Sequence, residues 1–247
     1  MNERCLKIME MLNESGSLEV NAVAQALNVS AVTIRKDFAW LEEKGLLRRQ
    51  HGYAVRVSPD DVGYRMTFDY EVKKRIAHRA AAMVESGETV MIESGSTCAM
   101  LAAELAENRR DVTIVTNSAF IAGYIRSFPA ARIVLLGGTF EPEAQVMVGP
   151  LVRICAREFY VDKFFIGTDG FEPGKGFSNV DMLRTEAVRA MAESAKQCII
   201  LTDSSKFGKR GAVTLMHARD VAAVITDSVP DNCRESLEKD GVEIILA

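Results

Sequence analysis

The sequence predicts an α/β protein in two parts, a small, mostly helical N-terminal part and a larger part built on a parallel sheet. Three observations predict it. Residues 1–57 read as helices joined by short turns, whereas from about residue 71 onward apolar runs alternate with amphipathic helical patterns. Charge changes at the same place: eight basic against seven acidic residues leave 1–57 at +1, and the remainder carries −5 of the net −4. A short polar segment, Ser58-Pro59-Asp60-Asp61, separates the two patterns and is the candidate linker.

Composition bounds what such a chain can be. Of 247 residues, 48% are hydrophobic and 26% charged, the balance of a globular chain, which excludes wholesale disorder and a collagen-like repeat. A net charge of −4 excludes a uniformly basic nucleic-acid coat and leaves room for a local basic face. The longest uncharged stretch, 112–125, falls short of the ~18 apolar residues of a membrane span. The first residues carry Glu3, Arg4, Lys7 and Glu10 and no apolar signal core, so a cytoplasmic protein with no membrane partner is expected. The five cysteines, Cys5, Cys98, Cys155, Cys198 and Cys233, are odd in number and scattered. They read as reduced thiols packed as small hydrophobes, with no metal or cofactor expected.

In the first part, Ile8, Met9, Met11 and Leu12 give one apolar helical face, which Gly16 ends. Val20, Val23, Ala24 and Leu27 repeat at i, i+3, i+4 and i+7, a second helix. After the tight connection Asn28-Val29-Ser30, Ser30 is a good N-cap for a third helix over 31–43, with Ile34, Phe38 and Leu41 inward and Gly45 as its stop. Two short apolar-and-basic runs around Gly52 then read as a β-hairpin. This is the layout of a winged helix-turn-helix. The face opposite Ile34, Phe38 and Leu41 carries Thr33, Arg35 and Lys36 in the first turns of the third helix, the part that meets base edges in a major groove. Arg48, Arg49 and His51 on the hairpin suit phosphate contact or minor-groove entry. The expected DNA-contact set is Ser30, Thr33, Arg35, Lys36, Arg48, Arg49 and His51.

In the second part, helices are expected over 71–84, 97–107, 118–126, 149–159 and 181–196. Strands are expected over 88–93, 112–116, 132–136, 161–166, 198–202, 221–226 and 242–246. Short apolar strands alternating with helices mean a mostly parallel sheet covered on both faces, an open doubly wound α/β domain. Ligands bind such sheets beyond the carboxyl ends of the strands. Those ends read Ser94-Gly95-Ser96-Thr97, Thr116-Asn117, Gly137-Gly138, Gly167-Thr168-Asp169-Gly170 and Asp203-Ser204-Ser205-Lys206. The first opens a helix, so its N–H groups and hydroxyls can hold an anion, typically phosphate. Lys206 can neutralise that anion or pair with Asp203, and Asp169 and Asp203 are acceptors for sugar hydroxyls.

Catalytic signals are sparse. There is no Walker loop, no Gly-x-Gly-x-x-Gly and no nucleophile elbow. His78 and His217 read as structural, and Glu186 as a surface residue, although a carboxylate such as Glu186, Asp169 or Asp203 is the only kind of general base on offer.

Residues Val29-Ser30-Ala31-Val32-Thr33-Ile34-Arg35-Lys36-Asp37-Phe38, with Leu41-Glu42 and Gly45, resemble the DeoR-family signature V-S-x-x-T-I-R-R-D-L-x-x-L-E-x-x-G. His51-Gly52-Tyr53-Ala54 resembles that family's H-G-G-A wing. Lys73 and Ile76, Ser94 to Thr97, Val115-Thr116-Asn117, Leu136-Gly137-Gly138 and Gly149-Pro150 follow the family's second-domain pattern in order. So do Asp162-Lys163 with Phe165 and Gly167, and Asp203-x-x-Lys206-Phe207-Gly208. The resemblance implies a bacterial transcription factor, usually a repressor of sugar-catabolism genes and a homo-oligomer on repeated operator half-sites of double-stranded DNA. It implies a sensor domain similar to the ribose-5-phosphate isomerase and CoA-transferase folds that binds a phosphorylated sugar or derivative. Ser94, Gly95, Ser96 and Thr97 would serve the phosphate, with Asp169, Asp203 and Lys206 beside them.

The implied domains are 1–57 for DNA, 58–72 as linker and 73–247 for the effector. Lys36, Phe38, Tyr53 and Glu93 depart from the pattern, standing for arginine, leucine, glycine and aspartate. The alternative is a sugar-phosphate isomerase with an appended DNA-binding domain. Asp169 and Lys175 resemble that family's Gly-x-Asp region, but its acid-bearing glycine-rich stretch is absent and Glu186 is off its spacing. The expectation is therefore a regulator and not an enzyme.

Overall fold

The computed structural model describes residues 2–56 and 60–247, which divide into two compact units, 1–69 and 70–247. Ser58 and Pro59 of the expected linker lie outside the described residues.

The first unit contains α1 (Glu3–Ser15), β1 (Ser17–Glu19), α2 (Val20–Ala26), α3 (Ala31–Glu43), β2 (Arg48–Gln50), β3 (Tyr53–Val55) and α4 (Val62–Met66). Asn2 caps α1 by accepting the Cys5 N–H at 2.8 Å, and Ser30 caps α3 by accepting the Thr33 N–H at 3.1 Å. Such caps satisfy amides that a helix leaves without partners and are each worth about 1 kcal/mol. Ile8, Met9, Leu12, Val23, Ile34, Phe38, Leu41 and Leu47 are buried, so the periodicities read from the sequence point inward as expected. Asp37 lies on the same inward side and is held by Arg4 of α1 through two bonds, Nε to Oδ2 at 2.6 Å and Nη2 to Oδ1 at 2.9 Å. That planar fork fixes the rotation of α3 about its axis, because a bidentate pair constrains both groups.

The wing is a three-stranded sheet in the order β1-β3-β2. Its β1 strand is three residues long and carries no readable alternation. The β2–β3 turn is His51-Gly52, with φ of 45° and 89°. Positive φ at both central residues defines the type I′ turn that matches hairpin twist, and Gly52 takes the second position without a Cβ penalty. Tyr53 is therefore the first residue of β3, paired with Gln50. Part of the segment expected as linker is helical. Asp61 caps α4, Val62 and Met66 are buried, and Asn13 of α1 donates to Thr67 Oγ1 at 2.7 Å.

The second unit runs α5 (Tyr70–Ala81), β4 (Thr89–Ile92), α6 (Ser96–Asn108), β5 (Val112–Thr116), α7 (Ala119–Ile125), β6 (Ala131–Leu135), β7 (Thr139–Glu141), β8 (Val146–Val148) and α8 (Pro150–Ala156). It continues with β9 (Val161–Gly167), β10 (Gly170–Glu172), β11 (Gly176–Asn179), α9 (Met182–Ala192), β12 (Ala195–Leu201), β13 (Val213–Met216), β14 (Ala223–Thr226), α10 (Asp231–Lys239) and β15 (Glu243–Leu246). Seven strands form one sheet in the order β15-β14-β12-β9-β4-β5-β6, every neighbouring pair parallel. The expected doubly wound α/β class is what the chain adopts.

Alternate residues of the strands face opposite layers. Met91, Val115, Phe164, Ile166, Ile200 and Val224 pack into one core with Val152 of α8, Val188 and Met191 of α9 and Leu237 of α10. On the other side α5 packs on α6 and reaches β12 and β14. A small antiparallel sheet, β10-β11-β13, and the β7–β8 hairpin stand apart from the main sheet.

Three helices stop well short of their expected ends, and the first of them, expected over 71–84, stops at Ala81. The helix expected over 181–196 stops at Ala192, because Ala195 and Gln197 pair with Val161 and Lys163 of β9 and extend β12 toward its start. The helix expected over 149–159 ends at Ala156. The sequence reading gives α10 no element, since only Cys233 and Leu237 mark a buried side on a highly charged segment.

Candidate functional site

Two groups of residues stand where the sequence places function, one in each unit.

In the first unit, Ser30, Arg35, Lys36, Arg48, Arg49 and His51 are exposed and Thr33 is half-buried. Burial of Ile34, Phe38 and Leu41 turns Arg35 and Lys36 outward on α3, as their spacing requires. Arg35, Lys36, Arg48 and His51 have no ion-pair partner among the described residues. Three members of the expected contact set do other work. The Ser30 and Thr33 hydroxyls lie 2.9 Å apart and bond to each other, while Ser30 also caps the helix. Arg49 is tied to Glu42 of α3 twice, through its backbone N–H at 2.8 Å and through Nε at 2.5 Å. The Arg49 backbone bond, then its guanidinium bond, hold the Glu42 carboxyl below its ordinary range. The tie is therefore present above that lowered value and is lost as pH falls through it. It fixes the wing against the helix, an arrangement that a pair seven residues apart allows but that helix periodicity alone does not announce.

In the second unit, the parallel register brings the predicted strand ends to one edge. Leu135, Thr116, Ile92, Phe165 and Ile199 lie on one rung across β6, β5, β4, β9 and β12. The residues that follow, including Asn117, Ser94, Gly95, Gly167 and Asp203, therefore emerge on the same side of the sheet. The strand order reverses between β4 and β9: the chain first builds outward from β4 to β5 and β6, then returns to place β9 on the other flank of β4. That reversal is the crevice where open α/β sheets take ligands.

Glu93 stands at this reversal, directly after β4. Its carboxylate is buried and accepts the Ser94 hydroxyl at 2.9 Å, the Gly95 N–H at 2.7 Å and the Gly167 N–H at 3.1 Å. A Cβ on Gly95 would stand 2.9 Å from Glu93 Oε2 and 3.4 Å from the Gly167 Cα, so glycine is required there by close approach. The sequence reading treats Glu93 only as a departure from a pattern. Its role as a bridge between two loops 74 residues apart appears in the fold. The amide of Gly95 is thus already bonded, whereas α6 has no side-chain cap at its N-terminus. Its first-turn residues, Ser96, Thr97 and Cys98, present the positive end of the helix.

Asp169 accepts the Val180 N–H at 3.0 Å through Oδ2. Asp203 is buried and caps its own turn, taking the Ser205 N–H and hydroxyl on one oxygen. Lys206 is half-buried and its ammonium has no ion pair among the described residues. Asn117, read from the sequence only as part of a polar strand end, is buried. Its amide donates to the Met147 carbonyl at 3.0 Å, and its Oδ1 has no hydrogen-bond partner among the described residues. No helix among the described residues is long and apolar enough to cross a membrane.

A small winged helix-turn-helix with exposed basic residues, joined in one chain to a doubly wound α/β domain, is the architecture of a two-domain DNA-binding regulator. Comparison with known families places it more closely. Residues 4–60 match the DeoR-like helix-turn-helix domain and residues 69–228 the DeoR C-terminal sensor domain. The chain belongs to the DeoR family of transcriptional regulators. It is 28% identical to the putative aga operon transcriptional repressor of Escherichia coli O157:H7, covering 99% of this chain and 93% of that one. It is 30% identical to the lactose phosphotransferase system repressor of Staphylococcus epidermidis, covering 98% of each. Among solved structures it is similar to ribose 5-phosphate isomerase from Plasmodium falciparum, at 18% identity and a TM-score of 0.43, over 57% of this chain and 55% of that one.

Proposed function

We propose that this protein represses a sugar-catabolism operon by binding repeated operator half-sites as a homo-oligomer, and that a phosphorylated sugar bound at the β4–β9 crevice controls that binding. The observation that supports the effector half is the α6 N-terminus, which has no side-chain cap, standing beside buried polar strand ends at the reversal of strand order, with Lys206 following β12 on the same side of the sheet. In this reading the phosphate sits on the amides and hydroxyls of Ser96 and Thr97, beside Ser94 and Gly95, because the Gly95 N–H already serves Glu93. Lys206 supplies the countercharge. Asp203 and Asp169, each with one carboxylate oxygen engaged, accept sugar hydroxyls with the other. The sugar must bind the two functional states with different affinity, since equal affinity shifts nothing.

Two relatives, a lactose phosphotransferase system repressor and a putative aga operon repressor, support a carbohydrate operon as the target. The regulator reading is favoured over an isomerase by where the acid and base candidates lie. Glu186 is exposed on α9 and Lys175 is exposed between β10 and β11.

The DNA half is tested by fluorescence anisotropy on an operator chosen by selection from random-sequence duplexes. Arg35→Ala is expected to weaken binding by about 1–3 kcal/mol, the value of a lost base contact, and to relax preference at one position of the half-site. Unchanged affinity and unchanged preference would remove Arg35 from the interface.

A further inference from the structure

The first turn of the recognition helix holds a residue that the expected contact set omits. Val32 is 58% exposed, the most exposed large apolar side chain among the described residues of the first unit. It shares one stripe of α3 with Arg35 and Lys36 at i+3 and i+4, opposite the buried Ile34, Phe38 and Leu41. The polar side chains beside it are already engaged, since the Ser30 and Thr33 hydroxyls bond to each other and Ser30 caps the helix. The orientation of this stripe is set from beneath by the Arg4–Asp37 fork. A valine in a helix is held almost entirely to one χ1 rotamer, so its two methyl groups are presented without an ordering cost.

We propose that Val32 is a specificity-determining residue that reads the C5-methyl group of a thymine in the major groove, an inference that rests on the helix-turn-helix reading of this unit. The thymine methyl is the one apolar feature that a base edge offers there, and a short, rigid, exposed apolar side chain is its complement. Three to four helical residues span about 4.5–6 Å along the axis. That distance places the methyl within about two base-pair steps of the base read by Arg35 or Lys36.

The test uses the full chain and the half-site that emerges from random-sequence selection. Each thymine of that half-site is replaced in turn by deoxyuridine, which removes the methyl group and nothing else. At one thymine per half-site the wild type is expected to lose about threefold to fivefold in affinity, the value of burying one methyl group. Val32→Ala is expected to bind the thymine and deoxyuridine duplexes equally, and Val32→Ile to retain the preference. Because Val32 is exposed and alanine favours helix, Val32→Ala keeps the fold, which the circular dichroism melting curve checks. A wild type indifferent to every methyl group, a half-site without thymine, or a Val32→Ala protein with undiminished discrimination would each overturn the proposal while leaving DNA binding intact. A wild type that selects no sequence at all would overturn the DNA-binding reading, and this inference with it.

Discussion

Phe38→Ala abolishes operator binding at physiological temperature while the second unit keeps its own melting transition: that is the expected result for the most damaging single truncation in the first unit. Phe38 is 1% exposed and is among the largest fully buried side chains of the molecule. Cutting phenylalanine to alanine in a packed core costs about 3–5 kcal/mol, part lost transfer energy and part cavity. A unit of 69 residues buries too little surface to hold much stability in reserve. The loss therefore exceeds what the unit can absorb, and α3 loses the core that aims Arg35 and Lys36 outward. The sensor unit has a separate core built on Phe164, Ile166 and Ile200 and does not share the damage. Phe38→Leu, the residue that the family pattern carries here, exchanges one large apolar side chain for another and is expected to cost below ~1.5 kcal/mol and to keep operator binding. Calorimetry beside anisotropy measures both effects. A Phe38→Ala protein with wild-type affinity would contradict the packing account of the recognition helix.

Lys206→Ala is expected to leave operator binding unchanged and to remove the response to the effector. The proposed anion site contains uncharged donors, the amides and hydroxyls of the first turn of α6, and in the proposed arrangement Lys206 brings a full positive charge to them. Truncating one member of a hydrogen-bonded charge pair costs about 2–5 kcal/mol. The concentration of sugar phosphate needed for release should rise roughly 30-fold or more, since each 1.4 kcal/mol is tenfold. Lys206→Arg keeps the charge with a different shape, so a partial response is expected from it. A Lys206→Ala protein that responds at wild-type concentrations would move the phosphate site elsewhere.

The elements that carry function were legible where one physical rule dominates. The helix α3 is announced by a capping serine, by Ile34, Phe38 and Leu41 at helical spacing, and by Gly45 beyond its end. All seven strands of the main sheet read as apolar runs because a parallel sheet is buried on both faces. Their order could not be read. The adjacency of β4 and β9 joins residues more than seventy positions apart, and no local pattern encodes it. The strands β1, β7, β8 and β10 are three residues long, too short for alternation to show. The same limit hid the finer roles in the site. Glu93 matters through the Gly167 amide, which only the assembled sheet brings near. The bond between the Ser30 and Thr33 hydroxyls and the tie from Arg49 to Glu42 were likewise not legible, since both depend on the side-chain geometry of the assembled unit. Charge and hydroxyl content reveal which segment does the work, whereas the division of labour within it depends on which partners the fold supplies.

The most direct measurement is release of the protein from its selected operator, followed by fluorescence anisotropy while sugar phosphates and their free sugars are added in parallel. One phosphorylated sugar is expected to shift operator affinity at concentrations where its unphosphorylated counterpart does nothing, and Lys206→Ala to erase the difference. Operator binding that no sugar phosphate alters, or that a free sugar alters equally well, would contradict the claim that the β4–β9 crevice is a phosphate-anchored sugar sensor.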